Sequence, residues 1–430
     1  MSRLNQQLGI GQGVALLATS LLGTGIFVVP AMAASIAERS ALVAWLILLA
    51  LVLPIAFTFA ALGKRHPHAG GAAHFVGKAL GDRAEKMTAF LFISVLPVGL
   101  PAALVMATGF WQSLFQLSAF SALAIQLLSL FAMLLLGLGG AKLSGNVQGL
   151  IAIAIITLVG MLWWKADIHL TDVQLPRHID VPSIAPALTV MFWCFVGIEA
   201  FAHMGEEFRR PERDFPIALL LGALLAGIVY WAASVVVLKY GAFGNQYANT
   251  QSLPHLVAIL FGPQAKWLAA MVGYLACFAS INIYIQGFAR LIWSMADEQQ
   301  LPSLFAHLSK SKVPTTALFS IVGACGLSCI AAWLLDLPLE HLIRYANGNF
   351  IVVYLLSMLA GSILLPGVAR YLALFSAALC ALLLFELGWQ SAYALLLCLA
   401  FLSGHALLRA RARARARARS KINQAGQGIN

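Results

Sequence analysis

The chain has 430 residues, 61% of them hydrophobic and only 10% charged, and its formal net charge is +11. A mean hydropathy of +0.88 excludes a soluble domain, and its spread along the whole length excludes a protein held by one anchor. Arg409, Arg411, Arg413, Arg415, Arg417, Arg419 and Lys421 supply seven of the positive charges, so the excess marks a polybasic tail suited to anionic lipid rather than to nucleic acid.

Apolar runs of about 18 residues or more predict twelve transmembrane helices and an all-α, polytopic membrane fold. Span 1, about 10–35, holds Arg3 before it and Gly23-Thr24-Gly25-Ile26-Phe27 at its middle. A signal peptide has a shorter apolar run without a mid-run break, so Ala31-Met32-Ala33 is not read as a cleavage site. Span 2 is about 41–62. The loop after it, Gly63 to His74, contains His66, His68 and His74 but no Cys, Asp or Glu, and is read as a solvated loop without a metal. Span 3, about 86–111, is bent by Pro97-Val98-Gly99-Leu100-Pro101. Spans 4 and 5 are about 119–138 and 147–164.

Span 6, about 185–205, carries the second interruption, Phe195-Val196-Gly197-Ile198-Glu199. The following loop holds Glu206, Glu207, Arg209, Arg210 and Arg213, either a polar stop or a gate whose ion pairs break on opening. Spans 7 to 10 are about 216–240, 266–290, 315–335 and 343–364, and spans 11 and 12 are about 370–386 and 389–408. With the N-terminus inside, 21 of the 27 Lys and Arg fall in inner loops and tails, which orients both termini to the cytoplasm. The six cysteines all lie within apolar spans and predict packing residues, not disulfides.

Spans 1–5 begin inside and spans 6–10 begin outside, each set opening on an interrupted helix, so the two sets form a candidate inverted repeat. The expected organisation is one transmembrane domain over 1–408, with repeats at about 9–164 and 185–365, two extra helices at about 370–408, and a basic tail over 409–430. A break frees backbone groups that lipid cannot satisfy, so it survives only beside protein or a cavity. Its N–H end suits a carboxylate and its carbonyl end an ammonium. A zwitterionic amino acid fits both, with Gly23, Thr24, Gly25 and Ile26 toward the carboxylate and Phe192, Phe195, Gly197 and Ile198 on the amine side. Ser280 and Asn282 are further polar candidates. Glu199 is an acid within a span, and three roles are open to it: carrying a proton, pairing with the substrate amine, or capping the broken helix. Lys and Arg are absent around Met191 to Ile198, which favours a neutral, apolar substrate.

These segments resemble the amino acid–polyamine–organocation (APC) superfamily of transporters. Gly23 to Phe27 and Phe195 to Glu199 are similar to its first- and sixth-helix motifs. Pro67 to Gly71, Glu206-Glu207 with Pro211, Arg213 and Pro216, and Asp297 to Pro302 with Pro314 are similar to its loops. Met191 to His203 and Gly273 to Trp293 are most similar to bacterial exporters of methionine and branched-chain amino acids. The resemblance implies the APC-type five-plus-five inverted repeat with discontinuous helices 1 and 6, no cofactor, and alternating access in a bacterial inner membrane. It also implies efflux of neutral hydrophobic amino acids against proton movement. Some proton-coupled relatives carry a lysine inside helix 5 that residues 147–164 lack, which shifts attention to Glu199 as candidate proton carrier; in the loop after span 6, Glu206, Glu207 and Arg213 are the candidate cytoplasmic gate. Uptake or exchange of the same substrates is the alternative. A membrane-embedded enzyme and an ion channel are the other classes; the chain has no charged selectivity ring.

Overall fold

The computed structural model describes residues 4, 6–23, 25–115, 117–244, 252–337, 339–386 and 388–403. Helices dominate, and extended pairing among the described residues is limited to one isolated bridge between Leu8 and Phe208. The first half comprises α1 (Ile10–Leu22), α2 (Gly25–Ala37), α3 (Ala41–Arg65), α4 (Gly71–Leu80), α5 (Asp82–Ile93), α6 (Leu96–Phe115), α7 (Ala119–Leu138) and α8 (Gly140–Lys165). After the short α9 (Leu170–Val173) come α10 (Val181–Met191), α11 (Ile198–Ala202), α12 (Pro211–Tyr240) and α13 (Ser252–Phe261). The chain continues with α14 (Lys266–Asp297), α15 (Thr315–Leu334), α16 (Leu339–Leu364) and α17 (Val368–Glu386), and ends in α18 (Ala392–Ser403). Nine helical segments among the described residues are long and apolar enough to cross a membrane, or ten when the bent pair around Phe192 is one span. The shorter apolar helices α1, α13 and α18 come in addition, so the element order is consistent with twelve spans.

Polarity runs inside out, as lipid demands. Gln148, Asn282 and Glu199 are fully buried, while Leu150 is 71% and Leu327 70% exposed on the outer surface. Apolar side chains meet the hydrocarbon, and polar ones turn inward to find partners.

Both predicted interruptions are present. α1 stops at Leu22 and α2 starts at Gly25. α10 passes into a 3₁₀ turn over Phe192–Phe195, then an extended Val196 and Gly197 at φ +136°. Only glycine takes that dihedral without strain. α1 and α11 are the halves nearer the Lys/Arg-rich loops, here called the basic end; α2 and α10 are the halves nearer the far end. A third interruption, at Ser94–Val95, precedes Pro97. Pro97 has no N–H to offer the Ile93 carbonyl, so the helical ladder cannot run unbroken from α5 into α6, and the bend falls slightly ahead of the Pro97–Pro101 segment.

Two sequence expectations change. The Gly63–His74 segment is not a solvated loop: Ala69, Gly70, Gly71, Ala72 and Ala73 are buried, and α4 starts within it. Gly71, at φ +51°, is pressed against the His203 ring where a Cβ would collide, so this turn is packed against the end of α11. Several helices also run past their apolar cores at the basic end, α8 beginning at Gly140 and α14 ending at Asp297. Hydropathy marks the hydrocarbon thickness, whereas the backbone ladder continues beyond it.

Aromatic packing locks the basic end. Phe215 of α12 stacks on Phe201 of α11 (5.4 Å) and meets Phe208 edge-on (5.6 Å). Gly63 of α3 lies so close that a Cβ would overlap the Phe215 ring. Replacing the fully buried Phe215 by alanine empties this junction of three elements, and a loss of about 3–5 kcal/mol is expected. Thermal unfolding in detergent checks it, with Phe319→Ala, on an exposed face, as the near-neutral control.

Candidate functional site

The two breaks expose backbone groups at the centre of the bundle, and side chains from other helices meet them. At the first break, the Ser280 hydroxyl donates to the carbonyl of Ser20 (2.9 Å). The Tyr230 hydroxyl donates a bifurcated bond to the carbonyls of Leu21 (2.8 Å) and Leu22 (3.2 Å). Tyr230 is itself held by stacking on Trp45 at 4.9 Å. At the second break, the Tyr354 hydroxyl donates to the carbonyl of Phe195 (2.9 Å). The Gly197 N–H donates to Glu199 Oε2 (2.9 Å), and the Tyr284 hydroxyl donates to Glu199 Oε1 (2.8 Å). Thus a tyrosine from α12 or α16 caps each carbonyl end, and Glu199 caps the N-terminus of α11.

Between the breaks lies a small cavity. Ser20, Leu21 and Gly25 line it from the first break, Trp193 and Val196 from the second, and Ser280 and Tyr284 from α14. Gly99 and Leu100 bring the Pro97–Pro101 bend to the same wall, and Phe350 closes it from α16. Among the described residues, no Asp, Glu, Lys, Arg or His lines it.

The predicted site residues separate into groups. Gly25 and Ser280 line the cavity. Gly23 packs on Ser280, and Gly197 on the Ser20 hydroxyl. Ile26, Phe195 and Ile198 are buried in the core. Thr24 lies outside the described residues. Phe192 faces a different, apolar cavity shared with Leu48 and Leu383. Asn282 points away, donating to Ser144 (2.9 Å), which Gln286 also reaches (2.6 Å). Tyr230, Tyr284, Tyr354 and Trp193 are the residues that sequence reasoning passed over. The available signal was a phenol within an apolar span, because a buried hydroxyl needs a partner.

At the basic end, Glu207 forms a buried ion pair with Arg290 of α14, whose Nη1 also donates to the carbonyl of Gln286 (2.9 Å). Arg213, the basic gate candidate, is exposed on the first turn of α12, and the structure gives it no part in this pair. Beside the pair, Leu8 N–H donates to the Glu207 carbonyl and Arg209 N–H to the Leu8 carbonyl, both at 2.9 Å. Glu206 is half-buried, and burial pushes its carboxyl up, with His74 opposing.

The histidine turn has acidic neighbours that its own sequence lacks. His68 Nε2 lies 3.3 Å from Glu298 of the loop after α14, and His68 stacks on His74 at 3.8 Å. One ligand atom from each of His68, His74 and Glu298 lies within 4.8 Å of the others, a spacing a metal could use. However, Gly70 N–H donates to His68 Nδ1 (3.1 Å), which leaves Nε2 as the protonated nitrogen, aimed at Glu298. Burial, with His74 and Lys78 beside it, pushes His68 down to about 3, so the ring is neutral and the contact is a hydrogen bond.

The sequence profile of the amino acid permease family matches residues 8–406. The chain belongs to the amino acid permease family. This permease is 50% identical over 400 residues to the L-methionine/branched-chain amino acid exporter YjeH of Escherichia coli K12, covering 92% of its own length and 95% of that protein's. It is 27% identical over 394 residues to the uncharacterized amino acid permease YecA of Bacillus subtilis 168, covering 90% and 93%. It is 24% identical over 379 residues to the putrescine transporter PotE of Haemophilus influenzae Rd, covering 85% and 86%. The permease is therefore a multi-pass membrane protein of a transporter family, with the permease fold that its broken helices indicate.

Two expectations follow. Tyr230→Phe leaves the Leu21 and Leu22 carbonyls without their donor in a dry interior, and a loss of about 1–3 kcal/mol in detergent unfolding is expected. For His68, the folded pKa lies below the ordinary 6.5, so the unfolded chain binds more protons between about pH 6.5 and 3. Stability should fall as pH drops through that window, and His68→Gln should flatten the decline between pH 7 and pH 5, read as the melting temperature at each pH.

Proposed function

We propose that this permease is a secondary active transporter exporting methionine, leucine, isoleucine and valine across a bacterial inner membrane by alternating access. The observation that carries the reading is a central cavity with no charged lining residue in a chain 50% identical, nearly end to end, to a protein named for methionine and branched-chain export. Relatives named for putrescine or for cadaverine and lysine match at only 23–24% identity. Dications favour acidic walls, which this cavity lacks.

The cavity's two polar edges suit a zwitterion. The N-terminus of α11 is taken by Glu199, whereas the start of α2 opens on the cavity at Gly25 and suits the substrate carboxylate. The Ser20 and Leu21 carbonyls have accepted one hydrogen bond each and keep a second lone pair for the ammonium. Trp193, Leu100 and Phe350 offer the apolar walls for an aliphatic or thioether side chain. The proton is the coupling ion in this reading, and Glu199 is its carrier. Tyr284 touches both cavity and carboxylate, which gives substrate occupancy a one-residue route to Glu199.

In this reading the basic end faces the cytoplasm, both termini lie there, and the Arg-Ala tail rests on anionic lipid and binds no nucleic acid. Residues 1–408 form the transmembrane domain, with repeats at about 9–164 and 185–365. The cytoplasmic gate is Glu207 with Arg290, flanked by Glu206; Arg213 serves the loop's charge. No cofactor enters the cycle. Uptake or exchange of the same amino acids uses the same cavity with the gradients reversed.

Efflux from cells loaded with labelled methionine or leucine tests the reading. Efflux above that of cells lacking the protein is expected, slowed by a proton uncoupler and unaffected by putrescine. Efflux that putrescine inhibits and methionine does not would overturn it. Glu199→Gln should remove the pH dependence of transport while the protein still inserts and binds methionine; an unaltered pH profile would exclude Glu199 as the proton carrier.

A further inference from the structure

A second polar cavity lies at the basic end, beyond the Glu207–Arg290 pair and separate from the central one. Glu207 and Arg290 form its inner wall, and both are only 5% exposed. Gln7, Ser311 and Lys312 add polar groups, and Ala141, Val313 and Pro314 make a small apolar wall opposite. Ser311 and Lys312 are exposed, so this cavity opens toward solvent at the basic end. The structure thus places a buried charge pair of both signs where a solute leaving solvent first meets the interior.

In the gate reading given above, opening this end parts Glu207 from Arg290. Two charges held out of water are tolerable while each is compensated, and separating them bare leaves both uncompensated. Water can relieve this only by flooding the gap, which breaches the seal. A solute carrying one positive and one negative group on neighbouring atoms offers another route, because it replaces each partner as the pair opens. An α-amino acid is such a solute. Its carboxylate matches the guanidinium fork, and its ammonium matches a carboxylate.

We propose that this cavity is a docking subsite for the amino-acid substrate, in which Arg290 takes the α-carboxylate and Glu207 the α-ammonium as their own ion pair parts, with the side chain against Val313 and Pro314. The assignment rests on the reading of the permease as a neutral amino-acid transporter, and extends it from the central cavity to the face from which exported substrate enters. It makes the pair a selectivity element as well as a seal. An amine without a carboxylate, or an acid without an amine, strands one buried charge and is rejected before it reaches the broken helices. Lys312 at the rim adds a positive charge that draws the carboxylate inward.

Sided kinetics test the subsite. Inverted membrane vesicles present the basic end outward, and intact cells present the far end. Glu207→Gln and Arg290→Gln should raise the half-saturating methionine concentration at the basic end by at least about tenfold, with the far-end value within about twofold, and Arg290→Lys, which keeps the charge but loses the fork, should recover only part of the loss. Half-saturation rising equally at both faces, or a changed maximal rate at unchanged half-saturation, would make the pair a seal alone and overturn the proposal. A second measurement leaves both charges in place. In a Ser311→Cys, Cys398→Ser chain, methionine should slow thiol labelling at position 311, whereas methioninol, lacking the carboxylate, and 4-methylthiobutyrate, lacking the amine, should not. Equal protection by all three, or by none, would overturn the proposal. A wild-type protein that moves no methionine would instead overturn the functional reading, and the labelling assay reports on the subsite even then.

Discussion

Every backbone donor and acceptor inside the hydrocarbon has to find a partner, and the two broken helices are where this permease fails to supply one from its own ladder. The rest of the central architecture follows from that shortage. Tyr230, Tyr354 and Ser280 are not within the broken helices, yet each aims a hydroxyl at a carbonyl that an intact helix would have used. Glu199 does the same for the N–H end of α11. Because the caps come from α12, α14 and α16, the breaks cannot be moved without disturbing those helices, two of which also line the cavity. The cavity is what remains once these caps are in place, which explains why it has polar edges and apolar walls.

The positions of the breaks were legible in the sequence because their cause is local. Glycine at 23, 25 and 197 weakens a helix regardless of its neighbours. The caps were not legible, because a tyrosine on an amphipathic or apolar helix reads identically whether its hydroxyl faces lipid headgroup, water or a carbonyl 200 residues away. The same distinction separates Ser280 from Asn282. They lie two residues apart on α14, which turns them about 200° from each other, so one faces the cavity and the other Ser144. Periodicity establishes that they cannot share a site, but only packing decides which of them has it. The histidine turn failed for a third reason. Its composition suggested solvent, but Gly70-Gly71 lets the backbone approach His203 so closely that the turn is interior, and its acidic neighbour Glu298 arrives from the far side of the chain.

The two breaks share a plan but differ in charge. At the second, a carboxylate with two hydrogen bonds already occupies the helix N-terminus, so a second anion there would meet direct repulsion. At the first, the corresponding helix start opens at Gly25 beside the cavity, and a Cβ at that position would overlap the Tyr230 hydroxyl. Gly25 therefore answers two constraints at once: it lets the tyrosine cap reach the carbonyls of α1, and it leaves the N–H end of α2 open to a ligand. In the proposed reading, two equal breaks would accept a ligand in either orientation, and Glu199 at one of them would make the orientation unique.

The same unequal pair determines how the halves can move. α1 and α11 are the basic-end halves of the two broken helices, and the chain ties them together outside the cavity. Leu8, just before α1, exchanges two backbone hydrogen bonds with Glu207 and Arg209, just after α11. The aromatic cluster of Phe201, Phe208 and Phe215 then clamps this bridge to α12. By contrast, α10 gives way to α11 through a 3₁₀ turn, an extended Val196 and Gly197 at φ +136°, which interrupts the α-helical ladder. The Leu8 bridge therefore joins α1 to the segment that follows α11 independently of the breaks. In the proposed cycle, a displacement of this unit would part Glu207, which follows α11, from Arg290, which belongs to the continuous α14. On that reading the ion pair spans the boundary that separates, and a solute able to substitute for both partners would gain influence over opening that a contact within either body would not give it.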